Sequence, residues 1–360
     1  MENKSIKIAV IFGGKSEEHE VSRNSAVNVL KSLAKTDYNI IKIGITKKGQ
    51  WFLTNANYNE ISNGNWEKRE DNKRAIIAPD PEIHGLIVFG NEKQVAFEKI
   101  DCVVPVLHGE HGEDGDIQGL FELAEIPYVG PGVKSSANCM DKSVTKELVK
   151  ETEVAMASHA VVYKKDFYDD KEEEIVNALS ANGGKYPLFV KPCEAGSSVG
   201  ASKARTKEEL EKAMEKAFEY DEKILVEEMI HGREMEVAVL GNRNPIATSV
   251  GEILSAGEFY DYDSKYNNPE SRTKVVDDLP DSITDEIREA ALKIYKRLDC
   301  RGLSRVDFFY SDDGKIVFNE VNTLPGFTNI SMYPQLWQHM GIEQSVLIDS
   351  LIKLAIEEHS

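Results

Sequence analysis

The chain has 360 residues, of which 41% are hydrophobic and 29% are charged, a composition typical of a folded globular protein rather than a disordered or fibrous one. This length predicts about two to three domains. The formal net charge of −19 disfavours nucleic acid and membrane surfaces as partners, because a negative field repels phosphate groups at long range.

The four cysteines are far apart in the sequence and form no C-x-x-C pair. Neither a zinc knuckle nor a disulfide framework is therefore predicted, and we expect a reducing cytoplasm. The apolar run Ile8–Phe12 near the N-terminus is too short for a signal peptide or a membrane span, so neither export nor membrane insertion is expected.

The first predicted domain is an α/β unit covering residues 1–130. A buried strand at Ile6–Phe12, a helix at Asn24–Leu33 and a strand at Asn39–Thr46 give a β-α-β opening. Further apolar runs continue this pattern as strands at Gly85–Phe89 and Cys102–Leu107 and a helix at Ile117–Leu123. The Pro127–Pro131 break places the boundary near Gly130.

A smaller α+β domain is predicted over residues 131–222. Asp141 is placed to cap a helix at Lys142–Glu151, and a strand at Leu188–Lys191 leads into a glycine-serine loop. Thr206 and Glu209 form a capping box for the next helix.

The third domain, residues 223–360, is predicted to contain two strands, a helix and a hairpin. The strands are Lys223–Met229 and Met235–Leu240, the helix is Ser282–Leu298, and the hairpin pairs Leu303–Tyr310 with Lys315–Val321. An Asp-Gly turn at 311–314 joins the two hairpin strands.

The hairpin carries the strongest candidate for a metal site. With a turn of two or four residues, Asp307, Glu320 and Asn322 point to the same face, and Arg305 lies nearly opposite Glu320. Carboxylates crowded on one face favour a divalent cation, and oxygen ligands suit Mg²⁺ or Mn²⁺. The alternative is a structural Arg–carboxylate bridge. A three-residue loop would turn one strand over, and these polar residues would then no longer share a face.

Three loops could contact a ligand. The first, Gly14-Lys15-Ser16, is no Walker A loop because position 9 is Ala, but it places Glu20 at the end of a strand. Glycines in the second loop, His108–Gly115, allow close backbone approach. The third, Lys191–Gly200, combines a lysine with small residues that could cover phosphates, although each loop could also be an ordinary turn.

Taken in order, these motifs resemble the D-alanine:D-alanine ligases of the ATP-grasp superfamily. The matching segments are Glu-His-Glu-Val-Ser at 18–22, the glycine-rich loop at 108–115, Met-Asp-Lys at 140–142, the lysine and glycine-serine loop at 191–200, Tyr-Asp-Tyr-x-x-Lys-Tyr at 260–266, Arg-Val-Asp at 305–307 and Asn-Glu-Val-Asn-Thr-x-Pro-Gly at 319–326. The resemblance implies a three-domain ATP-grasp fold, α/β and α+β, with a Rossmann-like N-terminal domain.

The activity that the resemblance implies is formation of D-alanyl-D-alanine, for peptidoglycan precursors, from two D-alanines and ATP through a D-alanyl phosphate. Two Mg²⁺ or Mn²⁺ ions would be held by Asp307, Glu320 and Asn322. The implied ATP contacts are Lys142, Lys191, Ser197, Ser198, Glu227, Glu228, Met229, Ile230, Glu234, Phe259, Lys265 and Asn319.

The same resemblance implies substrate and catalytic roles. Glu20 would accept the ammonium group of the first D-alanine, and His108 would lie near this substrate. Arg305 and the Gly326 N–H would form an oxyanion hole. The remaining roles would be a lid contact between Ser197 and Tyr266 and a second-substrate site at Ser331 and Met332. Activity should fall at low pH, because the attacking amine must be neutral.

Several alternatives remain open on the sequence alone. The resemblance implies that Tyr266 favours the dipeptide over D-alanyl-D-lactate, whereas D-serine as second substrate is harder to exclude. ATP-grasp ligases of other carboxylates, such as biotin-carboxylase-like or purine-pathway enzymes, lack the motifs at 18–22 and 260–266. A catalytically silent nucleotide-binding regulator is the non-enzyme alternative. The resemblance further implies a homodimer through the N-terminal domain.

Overall fold

The structure is a computed structural model that describes residues 6–90, 94–254 and 272–360. In these ranges the chain forms three β-sheets, and helices pack around each of them. The division into three α/β or α+β units therefore agrees with the predicted fold class, and the details below show where the predicted boundaries move.

The first sheet, within the described part of the chain, has seven strands. They are β1 Lys7–Gly13, β2 Asn39–Ile45, β3 Trp51–Leu53, β4 Lys73–Ile77, β5 Gly85–Phe89, β6 Val95–Lys99 and β7 Cys102–Val106. Their order is β6-β5-β4-β3-β2-β1-β7, with β1 parallel to both β2 and β7. Its helices are α1 His19–Leu33, α2 Tyr58–Asn63 and α3 Asp116–Leu123.

The β-α-β opening is confirmed, but α1 begins at His19, five residues before the predicted start at Asn24. The side chain of Ser22 explains part of this early start. Its Oγ accepts a hydrogen bond from Gly13 N at 2.8 Å, which fixes the first turn of α1 against the end of β1. The motif at 18–22 therefore lies at the carboxyl end of a central parallel strand, where α/β folds place ligands.

The second sheet has four strands among the residues described. The strands are β9 His159–Tyr163, β10 Leu188–Pro192, β11 Ser202–Ala204 and β12 Lys223–Glu228, in the order β11-β10-β12-β9. The helices α6 Lys164–Asp169, α7 Lys171–Ala181 and α8 Lys207–Ala217 belong to this unit. Because β12 lies inside this sheet, the predicted boundary at 222/223 is wrong, and the central unit extends through Glu228.

The third sheet has six strands in the described ranges. They are β8 Ala155–Met156, β13 Gly232–Leu240, β14 Ile246–Leu254, β15 Arg272–Val275, β16 Leu303–Ser311 and β17 Ile316–Asn322. Their order is β15-β14-β13-β16-β17-β8. The associated helices are α4 Val133–Met140, α5 Lys142–Val149, α9 Asp281–Arg297, α10 Met332–His339 and α11 Gln344–Glu358.

Helices α4 and α5 lie in the predicted central domain but pack with the third sheet. Cys139 of α4 and Val149 of α5 are buried in the same apolar cluster as Val306 of β16 and Ile294 of α9. The segment 133–149 therefore belongs structurally to the C-terminal unit, a tertiary arrangement that local sequence patterns do not carry.

Two helix starts are confirmed in detail. Asp141 Oδ1 accepts hydrogen bonds from Ser143 N at 3.0 Å and Val144 N at 3.1 Å, which caps α5. Thr206 Oγ1 accepts from Glu209 N at 3.2 Å and caps α8. These side-chain acceptors satisfy backbone N–H groups that have no partner inside the helix.

The C-terminal helices α10 and α11 close the core of the first unit. Leu336 and Trp337 of α10 and Leu351 of α11 share one apolar cluster with Phe12 of β1 and Leu30 of α1. None of the helices in the described ranges has the length and apolar character needed to cross a bilayer.

Candidate active site

A central cavity of about 130 Å³ is lined by residues from all three units. Glu18, His108 and Glu113 come from loops of the first unit, and Gly196 and Ser197 come from the glycine-serine loop of the second. The third unit completes the wall with Lys142, Arg305, Glu320, Asn322, Gly326, Ser331 and Met332. The structure thus brings most of the predicted substrate residues together.

The turn of the hairpin differs from the predicted one. Ser311 N donates to Lys315 O at 2.9 Å, so the loop consists of residues 312–314. Beyond it, Phe308 pairs with Phe318. A turn of this length would by itself place Asp307 and Glu320 on opposite faces of the hairpin.

A β-bulge at Asn319 reverses this effect of the turn. It adds one unpaired residue to β17, so that Asp307 lies opposite Glu320 and Arg305 lies opposite Asn322. The four polar residues therefore share one face, as predicted. Arg305 faces Asn322, however, and not Glu320.

Arg305 and Asp307 form a buried bidentate ion pair. Nε of Arg305 donates to Oδ1 of Asp307 at 2.8 Å, and Nη2 donates to Oδ2 at 2.7 Å. Glu236 lies 3.1 Å from Arg305 Nε. Burial would lower the pKa of Arg305, but Asp307 and Glu236 raise it well above its ordinary value, so the group remains a cation.

The donor groups on this face fit a divalent cation. Carboxylates of Asp307 and Glu320 and the amide of Asn322 supply oxygen ligands, which Mg²⁺ and Mn²⁺ prefer. Glu320 Oε2 lies 3.6 Å from Lys142 Nζ, and Arg305 holds Asp307. Both the predicted metal site and its alternative, an Arg–carboxylate bridge, are therefore compatible with this face.

Glu113 also lines the central cavity, although its position there was not predicted from the sequence. Its carboxylate accepts hydrogen bonds from Gly109 N at 2.8 Å and Leu324 N at 3.2 Å. In the orientation that satisfies both ends of its amide, Asn322 donates to Glu113 Oε1 at 3.1 Å. Burial and the nearby Glu18 carboxylate raise the pKa of Glu113 to about 8.

His108 is buried at the base of the cavity. Nδ1 lies 3.0 Å from Leu324 O, and Nε2 lies 3.3 Å from Ser25 Oγ. Because a carbonyl oxygen only accepts, Nδ1 carries the proton, and Nε2 is left as an acceptor. Burial lowers the pKa of His108, which favours the neutral ring. The second histidine of this loop, His111, is exposed and lies 2.7 Å from Asp116.

The structure places Glu18, not Glu20, in the central cavity. Glu18 Oε1 accepts a hydrogen bond from Ser197 Oγ at 2.5 Å. Glu20 is half-exposed and lies 2.7 Å from Lys47 Nζ, beside a separate surface depression. The prediction that Glu20 faces the first substrate is therefore not supported by its position.

The glycine-serine loop bends sharply where it contacts Glu18. Ser197 and Ser198 adopt left-handed φ angles of 50° and 58°, which are uncommon for residues other than glycine. Lys142 Nζ donates to Ala195 O at 2.9 Å. The loop therefore covers the cavity through contacts with both the first and the third units.

A larger cavity of about 440 Å³ adjoins the central one and shares Lys142, Ser197 and Glu320 with it. Its lining includes most of the residues predicted to contact ATP, namely Lys142, Lys191, Ser197, Ser198, Glu227, Glu228, Met229, Ile230, Glu234 and Asn319. Lys146 also lines it and was not predicted. Phe259, Lys265 and Tyr266 lie outside the described residues.

Lys191 is held by two partners in this cavity. Nζ lies 2.7 Å from Glu227 Oε2 and donates to Asn319 Oδ1 at 3.2 Å. Burial would lower the pKa of Lys191, but Glu227 and Glu320 raise it above its ordinary value. The ammonium therefore remains charged although it is buried.

The remaining predicted residues form the far wall of the central cavity. Ser331 Oγ accepts a hydrogen bond from Thr328 N at 3.0 Å. At Gly326, an added Cβ would lie 2.8 Å from Ser331 Oγ, so no larger residue fits without a shift. Met332 packs against Gly251. A Cβ added at Gly251 would lie 2.4 Å from the sulfur of Met332 and would clash with it.

Comparisons with known proteins agree with this geometry. The family model D-ala D-ala ligase N-terminus matches residues 7–131, and D-ala D-ala ligase C-terminus matches residues 148–353. Two curated relatives are D-alanine--D-alanine ligase B of Clostridium tetani, 49% identical over 98% of this chain and 94% of that protein, and D-alanine--D-alanine ligase of Acetivibrio thermocellus, 46% identical over 98% and 96%.

Solved structures give the same result. The VanG D-Ala:D-Ser ligase from Enterococcus faecalis superposes with a TM-score of 0.87 at 39% identity, covering 98% of this chain and 100% of that one. The D-alanine-D-alanine ligase from Coxiella burnetii has a TM-score of 0.83 at 35% identity, covering 99% and 95%. The chain therefore belongs to the D-alanine–D-alanine ligase family of ATP-dependent ligases.

Proposed function

We propose that the chain joins two D-alanines into D-alanyl-D-alanine and converts ATP to ADP and phosphate. The observation that carries this function is the pair of adjoining cavities. The large one suits a nucleotide, the small polar one suits amino acids, and Lys142, Ser197 and Glu320 lie at their boundary. A phosphoryl group could therefore pass from one to the other without leaving the enclosed site.

Within the large cavity, we assign Lys142 and Lys191 to the phosphates of ATP. Both ammonium groups lie near Glu320, at the end of the cavity that adjoins the central one. Glu227, Ile230 and Glu234 also line this cavity and are assigned to adenine and ribose. Phosphoryl transfer to a carboxylate brings anions together, so cationic groups at this boundary provide the main electrostatic help.

The polar face of the hairpin is assigned to metal binding. Asp307, Glu320 and Asn322 would hold the divalent ions that accompany ATP, two Mg²⁺ or Mn²⁺ ions in the family resembled, and ions bound there neutralise phosphate charge. The bidentate contact with Arg305 orients Asp307 in the absence of a ligand. The bulge at Asn319 keeps Glu320 on the same face.

We propose that Glu18 binds the ammonium group of the first D-alanine and that Arg305 lies near its carboxylate. These groups of opposite charge lie in the wall of the same cavity, so they would orient a zwitterionic amino acid. His108, whose neutral ring is held by Leu324 O, forms the base of this site. A carboxylate oxygen of this substrate then attacks the γ-phosphorus of ATP, ADP leaves, and an acyl phosphate forms.

The second D-alanine would bind at Ser331 and Met332. Its neutral amine attacks the acyl carbon, phosphate leaves, and the new amide nitrogen loses a proton. We propose that Arg305 and the Gly326 N–H stabilise the oxygen that becomes negative during this attack. For Phe259, Lys265 and Tyr266, which lie outside the described residues, we propose the roles that the family resemblance implies. Phe259 and Lys265 would contact ATP, and Tyr266 would contact Ser197.

The test is ATP-dependent phosphate release with D-alanine, D-serine, D-lactate or L-alanine as substrates, with each product identified by mass. We expect D-alanyl-D-alanine formation with D-alanine alone. Absence of this product from folded protein that binds ATP would reject the proposal. Glu320→Gln should abolish turnover while the far-UV circular dichroism stays unchanged, and an unchanged rate at saturating Mg²⁺ would reject the metal assignment.

D-serine remains the second candidate for the second subsite. The VanG structure, named as a D-Ala:D-Ser ligase, superposes well, but at 39% identity it is less similar in sequence than the Clostridium tetani relative at 49%. The mass of the mixed product, with D-alanine and D-serine supplied together, separates the two candidates. A dominant D-alanyl-D-serine product would favour the second.

Location and assembly belong to this proposal as well. We assign the chain to the cytoplasm, and the four buried free cysteines are compatible with a reducing compartment. We further assign a homodimer formed through the N-terminal unit. Sedimentation velocity of the purified chain tests the dimer, and a single monomer peak at micromolar concentration would reject it.

A further inference from the structure

Three buried charged groups form a row in the wall of the large cavity. Glu227 lies between two lysines, with Oε1 2.6 Å from Lys146 Nζ and Oε2 2.7 Å from Lys191 Nζ. The side chains of Lys146, Glu227 and Lys191 are 1%, 6% and 10% exposed. The row comes from three different elements, α5, β12 and β10, so the fold and not the local sequence assembles it.

Lys146 differs from the other lysines of the cavity in what it can reach. Its ammonium is enclosed, and its close ion-pair partner is the carboxylate of Glu227. Lys191, by contrast, also donates to Asn319, beside the metal face. Because this ammonium is paired with Glu227, we expect Lys146 to act on a bound nucleotide through that carboxylate.

We propose that Lys146 is a positioning residue for the nucleotide site, which holds the Glu227 carboxylate in place for the base and leaves Lys191 available to the phosphates. This inference rests on the proposed binding of ATP in the large cavity. One carboxylate between two ammonium groups leaves one net positive charge in the row. Lys191, which also donates to Asn319, is the lysine on the side where the phosphates are assigned.

Removal of Lys146 would change both ends of the row. Glu227 would then have Lys191 as its remaining close cation, and the pair would tighten at the expense of the contacts of Lys191 with Asn319 and with phosphate. One oxygen of Glu227 would also remain buried without its partner, which costs free energy. Both changes weaken nucleotide binding and leave the amino-acid cavity untouched.

The carboxylate of Glu227 also gives a readout for base selectivity. A carboxylate accepts hydrogen bonds and does not donate them, so it favours the 6-amino group of adenine and repels the 6-oxo group of guanine. If Lys146 fixes this carboxylate, its loss lets Glu227 turn away, and the preference for ATP over GTP decreases. A merely structural role of Lys146 would not change this preference.

The experiment compares Lys146→Met with Lys150→Met, an exposed lysine in the next turn of the same segment. For Lys146→Met we expect the KM for ATP to rise about 10- to 100-fold, the KM for D-alanine to stay within about twofold, and the ATP-over-GTP preference to fall. Lys150→Met should resemble the wild type in all three. Equal behaviour of the two variants would overturn the inference. So would an equal rise in the KM values for ATP and D-alanine in Lys146→Met.

A double variant keeps the inference testable if Lys146→Met does not fold. Lys146→Met/Glu227→Gln removes both charges of the pair, so no buried charge loses its partner at this contact. If Lys146 acts through Glu227, this double variant has the same ATP kinetics as Glu227→Gln. A higher KM for ATP in the double variant than in Glu227→Gln would contradict the inference. D-alanyl-D-alanine formation by the wild type, measured alongside, shows separately whether the proposed function holds.

Discussion

Two glutamates of one motif, Glu18 and Glu20, have different surroundings. The Glu18 carboxylate accepts a hydrogen bond from Ser197 in the central cavity, while Glu20 contacts Lys47 at the surface. The sequence could not separate them, because both are acids at the end of the same strand. The deciding feature is where α1 begins: Glu18 precedes its first turn and Glu20 lies within it.

A pair of substitutions distinguishes these glutamates. We expect Glu18→Gln to lower kcat/KM for D-alanine about 10- to 100-fold, because the hydrogen bond proposed to the substrate ammonium loses its negative partner. Glu20→Gln, the matched control two residues away, should stay within about twofold of the wild type. Steady-state phosphate release measures both. The reverse order of effects would restore Glu20 as the substrate contact.

The buried carboxylate of Glu227 should make the free energy of unfolding depend on pH. Burial alone would raise the pKa of this carboxyl, but Lys191 and Lys146 outweigh burial and lower it to about 2, from the ordinary value of 4.5. Between these values the unfolded chain binds more protons at this residue than the folded chain. The stabilisation is therefore present above pH 4.5 and is lost as the pH falls toward 2.

Urea unfolding at several pH values between 3 and 5 tests this dependence. The free energy of unfolding of Glu227→Gln should fall less steeply with decreasing pH than that of the wild type, by up to about 1.4 kcal/mol per pH unit. Glu219→Gln, an exposed position, serves as the control. Parallel pH curves for wild type and Glu227→Gln would contradict the assigned ion pairs.

Lys146 shows why the sequence alone left a functional residue unnamed. A lysine one turn after Lys142 is usually solvated, and nothing local indicates that α5 packs it against Glu227. The one available signal was the spacing of four residues from Lys142, which places both side chains on the same helix face. This spacing predicts a shared direction, but the buried partner comes from β12, far along the chain.

Among the helices and strands, features set by neighbouring residues could be predicted from the sequence. The sheet to which β12 belongs and the bulge in the hairpin could not. The cap at Asp141 and the strands of the hairpin follow from their own residues, and both are confirmed. The membership of β12 in the central sheet depends on its partners β9 and β10, so the boundary at 222/223 was wrong. In the hairpin, the unpredicted bulge at Asn319 compensates for the unpredicted turn.

The cap of α5 should affect both stability and nucleotide binding. Asp141→Ala removes the acceptor for Ser143 N and Val144 N and the ion pair with Lys223, so we expect a loss of about 1–2 kcal/mol in unfolding free energy. Because α5 carries Lys142 and Lys146, the KM for ATP should rise as well. Urea unfolding and steady-state kinetics measure the two effects.

The matched control for this prediction is Thr206→Ala, which removes the cap of α8. Its loss of stability should be similar, since it too leaves a first-turn N–H without its partner. The KM for ATP should remain that of the wild type, because α8 does not line the nucleotide cavity. If both variants raised this KM equally, the effect would come from general destabilisation and not from α5.

At the scale of the whole molecule, the first and last parts of the chain share one core. Leu351 of α11 is buried in the cluster that contains Phe12 and Leu30, and Tyr38 donates to Asp349 Oδ1 at 2.7 Å. We expect Leu351→Ala to cost about 2–5 kcal/mol in unfolding free energy. Hydrogen exchange should show lost protection in α1, although the substitution lies in the C-terminal unit.

The control for this long-range effect lies on the same helix. Val346 is 55% exposed, so Val346→Ala removes a similar side chain without opening the core, and protection in α1 should not change. Loss of protection confined to α11 in Leu351→Ala would mean that the two ends of the chain unfold independently. Such a result would contradict the shared core.

This shared core has a consequence for the order in which the chain folds during synthesis. Helix α11 follows β1 and α1 in the chain and therefore leaves the ribosome after them. Until α11 arrives, the apolar face of α1 that it covers has no native partner and is open to non-native contacts. The N-terminal unit therefore completes its packing only once α11 has been made.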